Sequence, residues 1–246
     1  MRRVIIRSAP RETADILREE ILNHSEDGEE WLLGSEDDMI KMLGVSRPTL
    51  RQAARMLEQE QLLVVRRGIG GGLFGRRPTA EAVSHTASVY LRSQGATYRD
   101  LISTQLLLGT EAARHAAKNP DREAREALRT YYTERVTDPQ HVSAIDFVRY
   151  TVEFQRRVAS LSGVSALRLF VDVLQDLSQG SAPIRRIYAD PKLQQQTFRG
   201  HQAVADAIAD GEPELAADRM RSHLENTLNQ VDEATRSARL SPLRAG

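Results

Sequence analysis

Between residues 41 and 78 the chain carries eight basic side chains (Lys41, Arg47, Arg51, Arg55, Arg66, Arg67, Arg76 and Arg77) against two acidic ones, Glu58 and Glu60. This local surplus of six positive charges is chemistry suited to phosphate. A guanidinium grips an oxyanion through parallel N–H donors and can also pair with a guanine edge. Arg47, Arg51 and Arg55 stand four apart, so on a helix they drift only about 40° per step and form one stripe. A solvated arginine face on a helical hairpin would show the same pattern, so charge alone does not decide. The asymmetry is local: residues 1–40 hold five basic and eleven acidic side chains, and the 246-residue chain has a formal net charge of zero.

A second candidate chemistry lies in Gly70, Gly72 and Gly75, which satisfy the G-x-G-x-x-G spacing of dinucleotide-binding loops. That motif needs a helix directly behind it to receive a pyrophosphate, and an acid about twenty residues further on. Here Arg76, Arg77 and Pro78 follow, so a nucleotide site is not expected. The chain contains no cysteine, which removes thiolate nucleophiles, disulfides and zinc-thiolate centres. There is no H-E-x-x-H and no nucleophile elbow, so an enzyme is not expected.

The elements that must position these residues follow from spacing and caps. Ala14, Leu17 and Ile21, with Ile16 alongside, predict a one-sided helix over 11–23; Trp31 and Leu32 beyond it read as core anchors. Ser35 is a good N-cap, and Glu36, Asp37 and Asp38 place acid in the first turn, where the helix dipole favours it. Gly44 ends that short helix. Ser46 caps a second one, with Pro48 tolerated in its first turn; Leu50, Ala53 or Ala54, and Leu57 point one way, and the arginine stripe points another. Leu62–Arg67 reads as a strand, the glycines as a turn, and Leu73 and Phe74 as the return strand. The order helix, tight turn, helix, hairpin is that of a winged helix-turn-helix whose second helix suits a DNA major groove.

Beyond Arg76-Arg77-Pro78-Thr79 the pattern turns helical, over about 80–93, 97–118, 121–137, 143–162, 164–180, 193–210 and 213–235, with breaks at glycine and proline. The expected organisation is a DNA-binding domain at 1–77, a linker at 78–82, an all-α domain at 83–238 and a flexible tail at 239–246. The fold class is mostly α, a winged helix-turn-helix with a small β-hairpin wing followed by a helical bundle. A bundle of that size commonly encloses a pocket. Met1–Ile6 turns polar too early for a signal peptide and no apolar run approaches a membrane span, so a cytoplasmic location and no membrane partner are expected.

Residues Ser35-Glu36, Gly44-Val45-Ser46-Arg47-Pro48-Thr49-Leu50-Arg51-Gln52-Ala53, Leu57-Glu58 and Arg66-Arg67-Gly68 together resemble the GntR family of bacterial transcriptional regulators. The likeness is to the FadR-like branch, whose C-terminal domain is the all-helical FCD fold, and it extends over nearly the whole chain. It implies contacts to double-stranded DNA from Ser35, Ser46, Arg47, Thr49 and Arg51, and from Arg66, Arg67 and Gly68 in the wing. Asp37 departs from the pattern, since members often carry a basic residue there that helps grip the DNA.

In many FCD domains an Asp and three His bind a metal at the floor of the ligand cavity. His201 and His223 occupy the last two of those positions, but Thr151 stands where the Asp belongs and Gln155 where the remaining His belongs. Starting the register at Asp146 puts Tyr150 in the His place. Two imidazoles alone hold a divalent ion poorly, so His201 and His223 are expected as hydrogen-bonding residues of the core or pocket, and a divalent metal is disfavoured unless Glu153 or a neighbour completes the set. Members that bind small carboxylates often carry an Arg and a Glu where this chain has Gln105 and Gly109, so a bidentate carboxylate clamp is absent. Gln105, Thr151, Gln155, His201 and His223 are the expected effector-pocket residues, for an uncharged or largely apolar effector, acyl-derived as in metal-free relatives. His24, His85, His115 and His141 fit no ligand spacing.

The resemblance thus implies a homodimeric regulator, read as a repressor, that binds a pseudo-palindromic operator and whose DNA affinity shifts with a small-molecule effector. The competing readings are a metal-dependent helical-domain enzyme and a ligand-free architectural DNA binder. A closed, fully packed helical domain would favour the last.

Overall fold

The computed structural model describes residues 9–24, 30–68, 70–135, 142–179 and 182–235. Met1–Ile6, Gly28, His141, the ends of the helices expected at 121–137 and 164–180, and the tail expected at 239–246 lie outside them. The chain divides into two compact units, Met1–Ala82 and Val83–Gly246.

In the first unit α1 (Ala9–Leu22) buries Ala14, Leu17 and Ile21 and leaves Ile16 outside. A strand that the sequence pattern did not announce follows, β1 (Glu30–Gly34). It corrects the reading of Trp31 and Leu32 as paired core anchors. Neighbouring side chains on a strand face opposite ways, so Leu32 is exposed while Trp31 is half-buried and stacks on His24, the ring centroids 4.1 Å apart. α2 (Glu36–Leu43) starts at Ser35, whose Oγ accepts from the Asp38 amide at 3.2 Å. It stops at Gly44, whose φ of 64° is the left-handed turn that glycine makes without strain.

α3 (Arg47–Gln59) starts at Ser46, with Pro48 in its first turn, where no intrahelical amide donor is needed. Its inner face buries Leu50, Ala53, Ala54 and Leu57, so Arg47, Arg51 and Arg55 are left on the outer face. β2 (Leu63–Arg66) and β3 (Gly72–Arg76) complete a three-stranded antiparallel sheet in the order β1-β3-β2. The expected hairpin is therefore two-thirds of the sheet, and β3 is its central strand. Gly75 pairs with Trp31, and a Cβ there would lie 2.8 Å from the indole ring. Helix α3 and the sheet close one core with α1 through Leu17, Leu50, Leu57, Leu63 and Leu73.

The second unit is helical throughout its described elements: α4 (Ala80–Ser93), α5 (Tyr98–Ala117), α6 (Arg122–Arg135), α7 (Ala144–Leu161), α8 (Ser165–Gln179), α9 (Ala182–Ile187), α10 (Pro191–Ala209) and α11 (Pro213–Thr235). Seven were expected; α9, six residues long, is too short to show a period. Caps match their sequence signals: Thr97 and Asp100 form a capping box on α5, and Asp190 caps α10 ahead of Pro191. Phe154, Val204, Ile208 and Met220 centre one apolar cluster; Phe147, Leu174, Ile187 and Tyr188 centre another. Long α5 and α11 lie against each other. Gly109 permits this, since a Cβ at that position would meet Leu224 at 3.0 Å.

Candidate nucleic-acid interface and effector cavity

Two capped helix starts set the first site. Ser35 and Ser46 spend their hydroxyl acceptors on the amides of α2 and α3, and Ser46 Oγ also lies 2.8 Å from Thr49 Oγ1. The amides of the first turn of α3 and its exposed arginines therefore stand together at one end of that helix, the arrangement that receives phosphate.

The arginines are not bare. Arg47 pairs with Glu36 at 3.2 Å and Asp37 at 2.5 Å, and Arg51 pairs with Glu36 at 2.6 Å. The hydrogen bond from Arg51 holds the Glu36 carboxyl below its ordinary range and raises the arginine further. The acidic first turn of α2, read from sequence as a dipole feature, thus also neutralises the outer face of α3. The signal for this was charge complementarity between α2 and α3, which reading each helix alone misses.

In the wing, Arg66 is paired with Glu30 and lies 4.5 Å above the Phe74 ring. Arg67 is exposed, and Gly68 has a φ of 94° in the turn between β2 and β3. The three spaced glycines belong to this hairpin, and β3 runs on to Arg76. The strand occupies the place where a dinucleotide motif needs a helix, so no phosphate cradle forms.

The second site is a cavity of about 40 Å³ inside the helical unit. The structure brings Gln105 from α5, Thr151 and Gln155 from α7, His201 from α10 and His223 from α11 to its wall. All but Thr151 are buried. Ile102, Val148, Val152, Ile184 and Leu224 supply apolar wall. Sequence reasoning missed Gln175 and Ser178 of α8, Tyr188 and Thr227, which also face the cavity. A signal existed: Gln175 and Ser178 interrupt the buried stripe that Val171, Leu174 and Leu177 make on α8.

Every side chain on this wall is uncharged at neutral pH. Burial pushes His223 down to about 4, and burial, with His223 beside it, pushes His201 well below its ordinary 6.5. Burial lifts Tyr188 to about 12. His201 stacks on Phe154, centroids 4.1 Å apart, and meets His223 edge-on at 4.4 Å. The Gln155 amide donates to the Met220 sulfur at 3.7 Å, a weak acceptor. Gln175 Nε2 is buried with no hydrogen-bond partner.

The donor set does not fit a divalent metal. Beyond two imidazoles the wall offers only amides and hydroxyls, and the described residues contain no cluster of three His, Cys, Asp or Glu that could hold one. Glu153 does not complete it: it pairs with Arg157 at 2.8 Å and is not on the wall. Gly109 is packed against Leu224, so a charged clamp has no room there. Among the described residues no helix is long and apolar enough to cross a membrane.

These two sites coincide with two known families of sequence. The model described as bacterial regulatory proteins, gntR family, matches residues 11–72, and that of the FCD domain matches residues 100–226. Over 217 residues, 86% of this chain and 83% of the relative, the sequence is 26% identical to an Escherichia coli (strain K12) protein named "Putative L-lactate dehydrogenase operon regulatory protein". It is 26% identical to the HTH-type transcriptional repressor NanR of Salmonella schwarzengrund (strain CVM19633), covering 91% of this chain and 84% of that one. Among solved structures, Streptococcus agalactiae GntR has the same fold, with a TM-score of 0.66 at 22% identity over 89% of this chain and 99% of that one.

Proposed function

The chain belongs to the gntR family of bacterial regulatory proteins and carries an FCD domain, and from that premise we propose a homodimeric, cytoplasmic repressor, not an enzyme, that reads a pseudo-palindromic operator. The observation that carries the reading is the outer face of α3. Arg47 and Arg51 stand exposed beside a capped helix start, held by the half-buried Glu36 and the exposed Asp37, carboxylates that a phosphate backbone can displace. Exposed ion pairs are each worth only about 0–1 kcal/mol, so their exchange for phosphate and base contacts costs little. Arg67 and Gly68 of the wing would add contacts beside the groove, with Arg66 once released from Glu30.

Two copies would present two α3 helices to half-sites spaced by about one helical turn, roughly 34 Å, or a multiple of it. An uncharged effector seated among Gln105, Thr151, Gln155, His201 and His223 would shift the population of copies whose reading heads match that spacing. A purely architectural DNA binder needs no internal space. The polar cavity in the helical unit therefore favours the effector-responsive reading.

The test is a gel shift at fixed salt on an operator obtained by selecting genomic fragments. Wild type is expected to retain a discrete sequence, and Arg51→Ala to lose it while keeping the wild-type fold. Equal retention by both would assign the DNA contacts elsewhere.

A further inference from the structure

Gln175 gives the cavity a chemical demand that its charge-free wall makes specific. The residue is 4% exposed, it lines the cavity, and its Nε2 finds no acceptor. A buried amide donor without a partner is rare, because burial strips its water and returns nothing. Gln155, across the same space, has only a thioether for its donor, and Gln105 is 5% exposed on that wall. Three glutamine amides and two imidazoles held neutral by burial thus converge on one space. No formal charge there offsets a carboxylate or supports a cation.

The space is small, about 40 Å³, enough for a head group of a few heavy atoms. His223 and Thr227 line both this cavity and a cleft of about 120 Å³ between α10 and α11. The cleft wall adds amides and hydroxyls, through Gln196, Ser222, Asn226 and Gln230, and one exposed cation, Arg219. Gln230 donates to Gln196, and its own Oε1 is buried without a partner.

From the cavity and the cleft together we infer that the effector has a neutral polar head, neither a metal-bound carboxylate nor an acyl chain. Its head carries a carbonyl of carboxamide type that accepts from Gln175. Its remainder extends past His223 and gives a donor to Gln230. This inference rests on the helical unit being the effector-binding one. It deepens that reading from uncharged to polar.

Acetamide and acetate test it as probes of nearly equal shape that differ in charge. At pH 7.5 and about 200 mM, acetamide is expected to raise the melting temperature by about 3–6 °C, the shift for a ligand some tenfold above its Kd on a unit of this size. Acetate at matched ionic strength, Zn²⁺ and methyl octanoate are each expected to do less. The side-chain NH₂ resonance of Gln175 in the wild-type protein should move with acetamide and not with acetate, and Gln175→Met should abolish the melting shift. The NMR measurement stands even if that variant folds poorly. A larger shift with acetate or Zn²⁺ would overturn the neutral class, a larger one with methyl octanoate would overturn the polar class, and no shift with any probe would overturn the site. Because these measurements use the free protein, they can fail while sequence-selective DNA retention survives, and loss of retention would instead strike the regulator reading.

Discussion

The outer face of α3 and the cavity of the helical unit solve opposite electrostatic problems with the same kind of helix. On α3 the cations stay in water, and their neutralising acids come from the neighbouring α2, where displacement is cheap. In the helical unit polar groups are buried and kept neutral, histidines included, because a charge there would find no counter-charge. A surface of solvent-facing ion pairs can therefore be altered without touching the fold. A cavity built from the core cannot.

The sharpest way to break this contrast is Phe154→Ala. Phe154 is fully buried and supports the His201 ring from below. Truncation should cost about 3–5 kcal/mol of stability, as for other buried aromatics, read from the denaturant midpoint of the full chain. A cost below about 1 kcal/mol would mean that the cavity wall is not part of the core.

The histidines give the next effect, through pH. His223 has a folded value of about 4 against an ordinary 6.5. The unfolded chain therefore binds the proton first, and stability is whole above 6.5 and lost as the pH falls toward 4. The loss from His223 alone is about 3 kcal/mol, and His201 acts in the same direction. Unfolding midpoints between pH 7.5 and 4.5 check it, and His223→Gln should flatten the profile. A flat wild-type profile would place both rings in water.

Arg51→Ala turns to the other region. It should weaken operator binding by about 1–3 kcal/mol and leave stability within about 0.5 kcal/mol, since the side chain is exposed. Binding titrations and melting curves on the same sample separate the two. The smallest effect belongs to Asp37→Asn. Freeing Arg47 of its 2.5 Å partner removes an exposed pair worth about 0–1 kcal/mol. It should tighten operator binding by up to several-fold at low salt, with the gain fading as salt rises. Weaker binding would show that Asp37 itself serves recognition.

The same contrast explains what could be read from the chain beforehand. The reading head is local. Caps, turn glycine, proline and arginine stripe fall within Ser35–Leu57, so spacing announces helix, turn and helix, and most of the residues proposed to meet DNA lie on one short run. Its sheet was legible only in part, because β1 pairs with β3 some forty residues away and a five-residue strand has too little alternation to declare itself. The ion pairs of Glu36 and Asp37 were hidden for the same reason, since they join two helices.

The cavity is assembled from six helices spread over more than 120 residues. Resemblance supplied five wall positions, Gln105, Thr151, Gln155, His201 and His223, through the places where family ligands would stand. Gln175 and Ser178 stand at no such place. They were visible only as polar residues in a buried stripe, a pattern that a buried hydrogen bond or a binding site produces equally. Which of the two it is depends on partners, and partners are a property of the fold.

The central claim is that α3 reads DNA sequence through its exposed arginines. The most direct test is to incubate wild type and Arg51→Ala with the same pool of random fragments at fixed salt, then sequence what each retains. The account predicts an inverted repeat enriched by the wild type and absent from the variant pool. Enrichment of the same repeat by both proteins, or of none by the wild type, would contradict it.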